Sequence, residues 1–330
     1  MREVAALAKV SIKTVSRVVN GESGVSLALA RRVIAASERL SYRHNLTASS
    51  LRRSDGRSAT IGIVLEDVAN PFSSALNRSI EDVAVKRGVL VLAGSSDEDG
   101  DRERKLVSAF ASRRVDGLII QPSSEDHSYL LTERKAGTAI VFVDRPPAFF
   151  DADTVLTDNA AGVRRGVRHL VEHGHRRIAY LGDLHKIATA AERHRGYLEE
   201  LADQKIKTEA TLVRLDLRGI EKAESAVMDL LRLPNPPTAL LTGQNLITIG
   251  AFRALRRLDL HRRVALIGFD DILLADLLEP GITVIAQDPA AIGRTAAELL
   301  FRRLDGDRSP SEHRIVLTRM ITRGSGEIPP

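Results

Sequence analysis

The hydrophobic pattern of the chain changes once, near residue 60. Before that point, apolar residues recur every three or four positions, as in short amphipathic helices. Beyond it, short runs rich in Val, Ile and Leu alternate with longer amphipathic stretches. The pattern predicts a small helical unit followed by a much longer α/β region.

Three helices are predicted in the first 44 residues. Their apolar stripes are Val4, Leu7 and Ala8; Val15, Val18 and Val19; and Leu29, Val33, Ala36 and Leu40. Ser11 and Ser26 are placed to cap the second and third helices, because a serine hydroxyl accepts from a free amide of the first turn. Asn20-Gly21 closes the second helix with residue types that accept a positive φ. Two short helices across a tight break, followed by a packing helix, describe a helix-turn-helix unit.

The face of the second helix opposite its valines has chemistry suited to DNA. Lys13 and Arg17 can donate to guanine edges or phosphates, and Thr14, Ser16 and Asn20 add short polar contacts. Periodicity alone equally fits a three-helix bundle with a solvated polar face. Residues 1–60 hold 11 Lys/Arg against 4 Asp/Glu, whereas the rest holds 37 against 39, so the excess positive charge lies entirely in this unit. That asymmetry favours a nucleic-acid-binding module over a solvated basic tail.

Residues 4–21 (VAALAKVSIKTVSRVVNG) resemble the DNA-binding headpiece of the LacI/GalR family of bacterial transcriptional regulators. Residues 25–26 and 40–45 (LSYRHN) continue the likeness. The resemblance implies that Ile12, Lys13 and Arg17 read bases, with the neighbouring polar residues nearer the DNA backbone. The DNA-binding residues predicted in this unit are Ser11, Ile12, Lys13, Thr14, Ser16, Arg17 and Asn20.

The sequence departs from the family pattern in three places. It begins at Met1, a few residues short of the usual start, which points to a misassigned start or a weakened headpiece. Lys9 stands at a turn position that Gly often occupies, and His44 replaces a Pro. We expect the last two to be tolerated.

Residues 45–53 predict a short helix that depends on a partner for its order. Asn45 can cap it, with Ala48 and Leu51 on one side. Nine residues are too few for a helix that is stable by itself in water, which needs about 12–15. The resemblance implies a hinge helix that folds when two copies sit in the operator's minor groove, with Leu51 wedged between base pairs. The alternative is a linker helix end with an incidental leucine. The polar residues 54–60 mark a domain boundary.

The region from residue 61 predicts parallel sheets covered by helices on both faces, arranged as two similar lobes. The predicted strands are 61–65, 89–93, 117–121, 139–143, 177–181, 211–214, 238–241, 264–268 and 283–286. The predicted helices are 71–87, 101–113, 160–173, 189–203, 220–231, 246–258 and 289–304.

Motifs of catalysis and cofactor binding are missing from this region. No Gly-x-Gly-x-x-Gly follows the first strand, and there is neither a phosphate-binding loop nor a Gly-x-Ser-x-Gly elbow. His173-Gly174-His175 has no carboxylates at metal-ligand spacing and is interpreted as a helix end and turn. The chain has no cysteine, which excludes a disulfide framework. We therefore expect no enzyme, no cofactor and no metal, although an α/β enzyme with a fused regulatory head remains an alternative.

The same region is similar to the periplasmic-binding-protein-like effector domain of the LacI/GalR family. The likeness lies in residues 70–72 (NPF), 143–146 (VDRP), 157–162 (TDNAAG), 173–179 (HGHRRIA), 193–197 (RHRGY), 267–271 (IGFDD) and 283–288 (TVIAQD). It implies an effector cleft that holds Phe72, Asp144, Thr189, Arg193, Gln244 and Asp270. Carboxylates, a guanidinium fork and an apolar wall suit a polyol. Gln244 and Asn245 depart from an Asn-Asp pair common at these places. Each of these residues also has a structural alternative, such as capping a helix or holding a loop.

The resemblance implies a fold of two parts: an all-α helix-turn-helix headpiece, and a two-lobed periplasmic-binding-protein-like body of doubly wound parallel sheets. The headpiece spans residues 1–44, and the hinge and linker 45–60. The body spans 61–330, with an N-lobe of about 61–157 and 286–315 and a C-lobe of about 158–285 and 316–330.

We expect an allosteric transcriptional repressor that binds operator DNA as a homodimer and responds to a sugar or sugar derivative held between the lobes. No apolar run approaches the roughly 20 residues of a membrane span and no signal peptide follows Met1, so we expect a cytoplasmic, nucleoid-associated protein. No leucine heptad follows the body, so no tetramer is expected. The alternative is a cytosolic small-molecule-binding protein of the same fold without a DNA role.

Overall fold

The computed structural model describes residues 1–19, 23–42 and 57–330. The chain divides into two compact units, Met1–Thr60 and Ile61–Pro330. In the described part of the chain, no helix is long and apolar enough to cross a membrane.

The first unit contains three short helices, as the sequence predicts. They are α1 Arg2–Ala8, α2 Ile12–Val19 and α3 Leu27–Arg39. Ser11 Oγ accepts a hydrogen bond from the amide of Thr14 at 3.0 Å, and Ser26 Oγ accepts one from Leu29 at 3.4 Å. Both predicted caps are therefore confirmed.

The core of the first unit consists of small residues from all three helices. Its buried members are Val4, Ala5, Ala8, Val15, Val33 and Ala36. The predicted stripes are wrong at Leu7 and Leu40, which are 42% and 40% exposed. Leu7 lies at the edge of the face of α1 that buries Val4, Ala5 and Ala8, where part of its side chain meets solvent. Leu40 caps α3 beyond its last helical residue, where the helical period no longer sets the direction of a side chain.

The end of α1 explains why glycine suits position 9. Lys9 has φ 49° and ψ 50°, in the left-handed region. The amides of Lys9 and Val10 donate to the carbonyls of Ala6 and Ala5, which is a Schellman closure that ordinarily ends on Gly. A side chain in this conformation costs about 1 kcal/mol. Arg32 Nη2 from α3 donates to the carbonyl of Ala8 at 2.6 Å and so offsets part of that cost.

The second unit is an α/β body. Its strands are β1 Thr60–Leu65, β2 Leu90–Ser95, β3 Gly117–Ile120, β4 Ala139–Val143, β5 Asp153–Thr157, β6 Ile178–Leu181, β7 Val213–Arg214, β8 Ala239–Thr242, β9 Ala265–Phe269, β10 Thr283–Ala286, β11 His313–Val316 and β12 Arg319–Ile321. Its α-helices are α4 Pro71–Lys86, α5 Gly100–Ser112, α6 Leu131–Lys135, α7 Asn159–Glu172, α8 Ala188–Asp203, α9 Ile220–Leu231, α10 Asn245–Arg257 and α11 Pro289–Leu304.

These strands form two six-stranded sheets, one in each lobe. The N-lobe sheet has the order β11-β5-β4-β3-β1-β2, and the C-lobe sheet has the order β12-β10-β9-β8-β6-β7. The two-lobed body expected from the sequence is confirmed. Its predicted parallel sheets need one correction, because β12 pairs antiparallel with β10. This strand enters its sheet directly from β11, which belongs to the other lobe.

The chain passes between the lobes at three places. They lie between β5 and α7, between β10 and α11, and between β11 and β12. Helices pack on both faces of each sheet, and the central strands β3, β8 and β9 are buried throughout. Such burial accounts for their continuous apolar runs in the sequence.

Four elements were not predicted: α6, β5, β11 and β12. In β5, Asp153 is buried and its carboxylate binds Arg303 of α11, with both hydrogen bonds at 2.7 Å. A strand with such a polar start lacks the apolar run by which strands are recognised. The strand predicted at 211–214 is shorter than expected, because a 3-10 turn occupies Ala210–Leu212 and leaves only Val213–Arg214 in β7.

Candidate DNA-binding helix and effector cleft

The predicted recognition face of α2 is solvent-accessible. Ser11, Lys13 and Arg17 are exposed, and Ile12 is 47% exposed although it is apolar. Thr14 and Ser16 are half-buried. An exposed isoleucine beside two basic residues offers both the apolar and the donor contacts with which base edges are read in a major groove.

Two of the predicted DNA-binding residues, Ser11 and Thr14, already form hydrogen bonds within the protein. Ser11 Oγ and Thr14 Oγ1 are 2.9 Å apart, and Ser11 also caps the helix. The three predicted base-reading residues, Ile12, Lys13 and Arg17, are all exposed on this face. The other predicted DNA-binding residues, Asn20, Asn45, Ala48 and Leu51, lie outside the described residues.

The six predicted effector residues line a single cavity between the two lobes of the body. These are Phe72, Asp144, Thr189, Arg193, Gln244 and Asp270. The cavity has a volume of about 40 Å³ accessible to water. That is space for a few water molecules, since each needs roughly 10–15 Å³ on this measure. A sugar would fit only if the lobes opened or the lining side chains turned.

The two carboxylates of the cleft are held in the same way, one in each lobe. Asp144 follows β4 and Asp270 follows β9, with φ 68° and 70°. Each donates its backbone amide to the next strand, to Val155 and Ile285 respectively, at 2.9 Å. These left-handed positions turn both side chains out of their sheets at the strand ends, and Asp tolerates the conformation better than most residues.

Each carboxylate also accepts a hydrogen bond from a glutamine. Gln121 Nε2 donates to Asp144 at 2.9 Å, and Gln287 Nε2 donates to Asp270 at 2.7 Å. Burial raises the pKa of Asp270, an effect opposed by the positive charge of Arg193 and by the Gln287 hydrogen bond, while the charge of Asp144 adds to the rise. The negative charge of Asp144 therefore acts on Asp270 across the cleft.

Arg193, on α8, is fixed from three sides and is only 6% exposed. Nε donates to Asn159 Oδ1 and Nη1 donates to the carbonyl of Gly243, both at 2.8 Å. The guanidinium carbon lies 3.8 Å from the centre of the Phe269 ring, a cation–π contact. Nη2 makes no hydrogen bond within the described part of the chain, so this nitrogen is the donor available to a ligand.

The other three predicted residues have different surroundings. Gln244 caps α10, because its Oε1 accepts from the amides of Leu246 and Ile247 at 2.8 and 3.2 Å. Its amide nitrogen is what remains for a ligand. Thr189 is buried in the first turn of α8, and Phe72 is half-buried at the start of α4, where it forms an apolar part of the lining.

Several lining residues were missed by sequence reasoning. They are Glu66, Gln121, Arg145, Asp183 and Gln287, together with Asn70, Ile187 and Ala190. Glu66, Gln121 and Gln287 directly follow β1, β3 and β10. Their position is a signal that could have found these three, because the carboxyl ends of parallel strands meet at one edge of a sheet.

A buried ion pair stands beside the N-lobe carboxylate. Arg145 Nη2 and Nη1 donate to the two carboxylate oxygens of Glu98 at 2.6 and 2.8 Å, and Nη1 also donates to the carbonyl of Pro122. Burial alone would lower the pKa of Arg145, but Glu98 more than offsets it, so that the pKa is raised. Glu98 therefore holds the guanidinium, whose Nε also lies 3.3 Å from Asp144 Oδ2.

A hydrogen bond crosses directly between the lobes. Asn245 Nδ2, at the start of α10, donates to Asn70 Oδ1 of the N-lobe at 2.8 Å. An aspartate, which the family often has here, could not make this bond, because an ionised carboxylate only accepts. The departure at Asn245 therefore allows a hydrogen bond that joins the two lobes. Arg218 adds a second one, since its Nη2 donates to the carbonyl of Asp97 at 3.1 Å.

The predicted helix end at His173-Gly174-His175 is confirmed. His173 caps α7 and Gly174 has φ 96°. The two ring nitrogens of His175 face Thr238 Oγ1 at 2.9 Å and the carbonyl of Ile328 at 2.7 Å. Both ring nitrogens therefore contact protein groups, as expected for a histidine in a helix end and turn.

A helical unit with an exposed basic helix, joined to a two-lobed body with a polar cleft, defines a ligand-responsive DNA-binding regulator. Residues 1–45 match the model of bacterial regulatory proteins of the lacI family, and residues 167–326 match the periplasmic binding protein-like domain. The chain belongs to the LacI family of bacterial transcriptional regulators.

Similar proteins align along nearly the whole chain. The probable HTH-type transcriptional regulator EndR of Paenibacillus polymyxa is 30% identical to this chain. The alignment covers 97% of this chain and 95% of EndR. The HTH-type transcriptional repressor CytR of Escherichia coli K12 is 29% identical over 98% of this chain and 95% of its own.

Two solved structures have the same architecture. The lac repressor dimer bound to operator and the anti-inducer ONPF superposes with a TM-score of 0.85 at 26% identity, covering 98% of this chain and 97% of that one. The complex of the transcriptional regulator CelR with cellobiose has a TM-score of 0.72 at 28% identity and covers 98% of both chains.

Proposed function

We propose that the protein is a transcriptional repressor whose affinity for a specific operator is set by a sugar or sugar derivative bound between the lobes. The observation that carries this proposal is the convergence of all six predicted effector residues on one interlobe cavity. In the relatives, the lac repressor binds operator DNA and CelR binds cellobiose. A protein that acts on the chromosome in this way would work in the cytoplasm.

Operator recognition is assigned to the exposed face of α2. Lys13 and Arg17 supply donors for guanine edges and phosphates, and Ile12 supplies an apolar contact for a thymine methyl group. Residues 45–60 are assigned to the hinge and linker, with Asn45, Ala48 and Leu51 as its minor-groove contacts. The headpiece is assigned to residues 1–44.

A second copy of the chain is the proposed partner of the body. Leu273, Leu274 and Leu277 form an apolar surface on the loop after β9, with exposed fractions of 84%, 54% and 72%. Three neighbouring exposed leucines are unusual on a monomer and typical of an interface. The lac repressor is a dimer on its operator. A homodimer presents two headpieces to a pseudo-palindromic site, which a two-fold operator requires.

The effector is proposed to act by shifting the equilibrium between open and closed lobes. The hydrogen bond between Asn245 and Asn70 exists only when the lobes are close. A ligand that binds one lobe arrangement better than the other changes its population, and with it the positions of the two hinge segments. A coupling of about 1–3 kcal/mol, the usual allosteric range, changes operator affinity roughly 5- to 150-fold.

The test is a mobility-shift titration of the full-length protein on its own upstream DNA. We expect a discrete complex that survives an excess of random DNA and weakens or strengthens when the effector is added. Binding that random DNA removes completely would contradict operator recognition and favour a ligand-binding protein without a DNA role. Consumption of the ligand during the titration would instead favour an enzyme of this fold, because the proposal gives the cleft no catalytic step.

A further inference from the structure

Strand β11 is the outer strand of the N-lobe sheet, and it pairs with β5 on one side only. The amide of Thr154 in β5 donates to the carbonyl of Glu312 at 2.8 Å, and the register places His313 opposite Thr154. In such a parallel ladder alternate residues face the neighbouring strand, so Arg314 faces β5 while His313 and Ile315 face away. Within the described part of the chain, the amides and carbonyls of His313 and Ile315 make no hydrogen bond outside the sheet. The edge therefore offers donors and acceptors to a further strand.

A groove lies between this strand and α11, beside the open edge. Its volume is about 490 Å³, and its lining includes Leu299 and Arg302 of α11 and Arg314 and Val316 of β11. That volume lies within the roughly 300–1,000 Å³ of sites that hold a ligand. Extended peptides bind in such places when their main chain adds to a sheet edge and their alternate side chains enter pockets beside it. The strand and the groove together therefore have the form of a site for an extended segment.

The side chains of this edge are not those that keep an edge unpaired. Exposed edges are usually protected by charged residues, prolines or bulges. Here Ile315 and Leu317 are 63% and 71% exposed, and they lie two residues apart, the spacing that places side chains on the same side of an extended chain. Both are apolar surface that a further strand would remove from water.

The acidic residues nearest to β11 are already used in internal ion pairs. Glu312, directly before the strand, pairs with Arg302 and Arg314. Asp307, in the loop that leads to the strand, pairs with Arg302 at 3.0 Å. These charges are balanced within the protein, so the charge that a partner meets is set by the residues without a pair.

The residues without a pair are mostly basic. Arg294 next to the groove, Arg308 before β11 and Arg319 after it are exposed and form no ion pair among the residues that the structure describes. Glu298, in the groove, is their acidic counterpart. The excess of positive charge disfavours a second copy of the chain, because two such edges placed together would repel each other. It favours an acidic partner.

We propose that β11 and the groove beside it bind an extended, acidic segment of another protein, which adds a seventh strand to the N-lobe sheet. The main chain of this segment pairs with His313 and Ile315. Its apolar side chains cover Ile315 and Leu317, and its carboxylates pair with Arg308 and Arg319. None of these residues lines the effector cleft, so the site gives the regulator an input that is separate from its effector.

The experiment measures the binding of a fluorescein-labelled peptide, Asp-Val-Glu-Ile-Asp-Val-Glu, to the full-length protein by fluorescence anisotropy. Two further peptides are compared with it: one has lysine in place of every acidic residue, and the other has methylated backbone amides, which cannot donate to a strand. We expect the acidic peptide to bind roughly tenfold more tightly than either of them. Equal binding of the lysine peptide would overturn the charge argument, and equal binding of the methylated peptide would overturn strand addition. No binding of the acidic peptide would overturn the whole proposal.

Two variants test whether the peptide binds at this edge. Ile315→Pro removes an amide that faces away from β5, and an edge strand accepts proline at such a position. Arg319→Glu reverses one unpaired charge and decides the question if the proline lowers the melting temperature. We expect each variant to weaken the acidic peptide roughly tenfold. The matched control is Arg253→Glu on the exposed side of α10, which should bind as the wild type does. Wild-type affinity in both edge variants would overturn the proposal.

The same samples test two other occupants. An excess of random duplex DNA should leave the peptide bound, because DNA binding is assigned to the helical unit. Displacement of the peptide would place it on that unit and would contradict the proposal. Sedimentation should give assemblies of the same size for the wild type and Ile315→Pro. A smaller assembly in the variant would mean that a second copy of the chain covers the edge, which also contradicts the proposal.

Discussion

The helical unit and the α/β body place their candidate functional residues in opposite environments. On α2, Ile12 is 47% exposed and Lys13 is exposed, while the core is made by other, small residues such as Val15 and Ala36. In the body, Asp144, Asp270 and Arg193 are only 4%, 7% and 6% exposed and are bonded into the sheets and helices around them. The helical unit therefore has its candidate binding residues on an exposed surface, whereas the body has them buried in a cleft.

This difference decides how far stability and recognition can be separated. A substitution on an exposed helix face changes few internal contacts, so it affects binding more than folding. A substitution of a buried, hydrogen-bonded group leaves its partners unsatisfied and so affects both. The four predictions below either sharpen this contrast or would break it.

The largest effect is expected for Arg193→Ala. The change leaves Asn159 Oδ1 and the carbonyl of Gly243 without their donor and removes the cation–π contact with Phe269. We expect the free energy of unfolding of the body to fall by about 2–4 kcal/mol and the effector response to disappear. Thermal denaturation and an effector titration of operator binding measure the two effects.

The control for this change lies two residues along the same helix. Arg195 is exposed and pairs with Glu199, which is also on the surface of α8. Arg195→Ala should cost less than about 1 kcal/mol and leave the response intact. If Arg193→Ala kept both the wild-type melting temperature and the response, the contrast between the two units would be lost.

The next effect concerns pH and Glu66. Its pKa is raised from 4.5 to about 7 in the folded protein, so the folded state holds this proton more tightly than the unfolded state. The stability that this proton contributes is complete below about pH 4.5 and is lost as the pH rises through about 7. Glu66→Gln should therefore be more stable than the wild type at pH 8, by up to about 3 kcal/mol, and equal to it at pH 4.5.

Denaturant unfolding across this pH range measures the effect. Glu125→Gln serves as the control, since Glu125 is an exposed carboxyl of the same lobe and should leave the pH profile unchanged. If the stability of Glu66→Gln varied with pH as that of the wild type does, burial in the cleft would not be raising the pKa of Glu66.

A smaller change in binding, with almost none in stability, is expected for Arg17→Ala. If Arg17 reads a base, its loss should cost about 1–3 kcal/mol on the operator and much less on random DNA. The melting temperature should stay close to that of the wild type. Arg39→Ala on α3 is the comparison, because it removes the same charge away from the recognition face. Equal losses on operator and random DNA would remove the base-reading role of Arg17.

The smallest effect is expected at the end of α1. Lys9→Gly places a glycine where φ is 49°, and we expect it to stabilise the helical unit by about 1 kcal/mol. Hydrogen exchange of the amides in α1 and α2 reports it. Arg31→Gly, within α3, should act in the opposite direction by a similar amount. Faster exchange in Lys9→Gly would mean that the contacts of the lysine side chain stabilise the helical unit by more than its left-handed backbone destabilises it.

Sequence reasoning succeeded where a local rule controls the outcome. Ser11 and Ser26 cap their helices as a serine before an amphipathic run predicts. Asp144 and Asp270, which were named from the family resemblance, line the cleft at the ends of buried strands.

Sequence reasoning failed where contacts between residues far apart in the sequence determine the structure. The start of β5 is stabilised by Arg303, which lies 150 residues away in the sequence. Gln121 and Gln287 become partners of the two aspartates only because the order of strands places β3 beside β4 and β10 beside β9. Leu40 follows the apolar period of α3 in the sequence, yet it lies one step beyond the last helical residue.

The interleaved path of the chain through both lobes also governs how the protein is made. The N-lobe sheet acquires its edge strand β11 from His313–Val316, and the C-lobe sheet acquires β12 from Arg319–Ile321. A nascent chain emerging from the ribosome therefore carries two unfinished sheets, with open edges, until both strands arrive within about a second of each other at 5–20 residues per second. The two sheets are therefore completed almost at the same time. A chain that ends before β11 contains neither sheet in complete form.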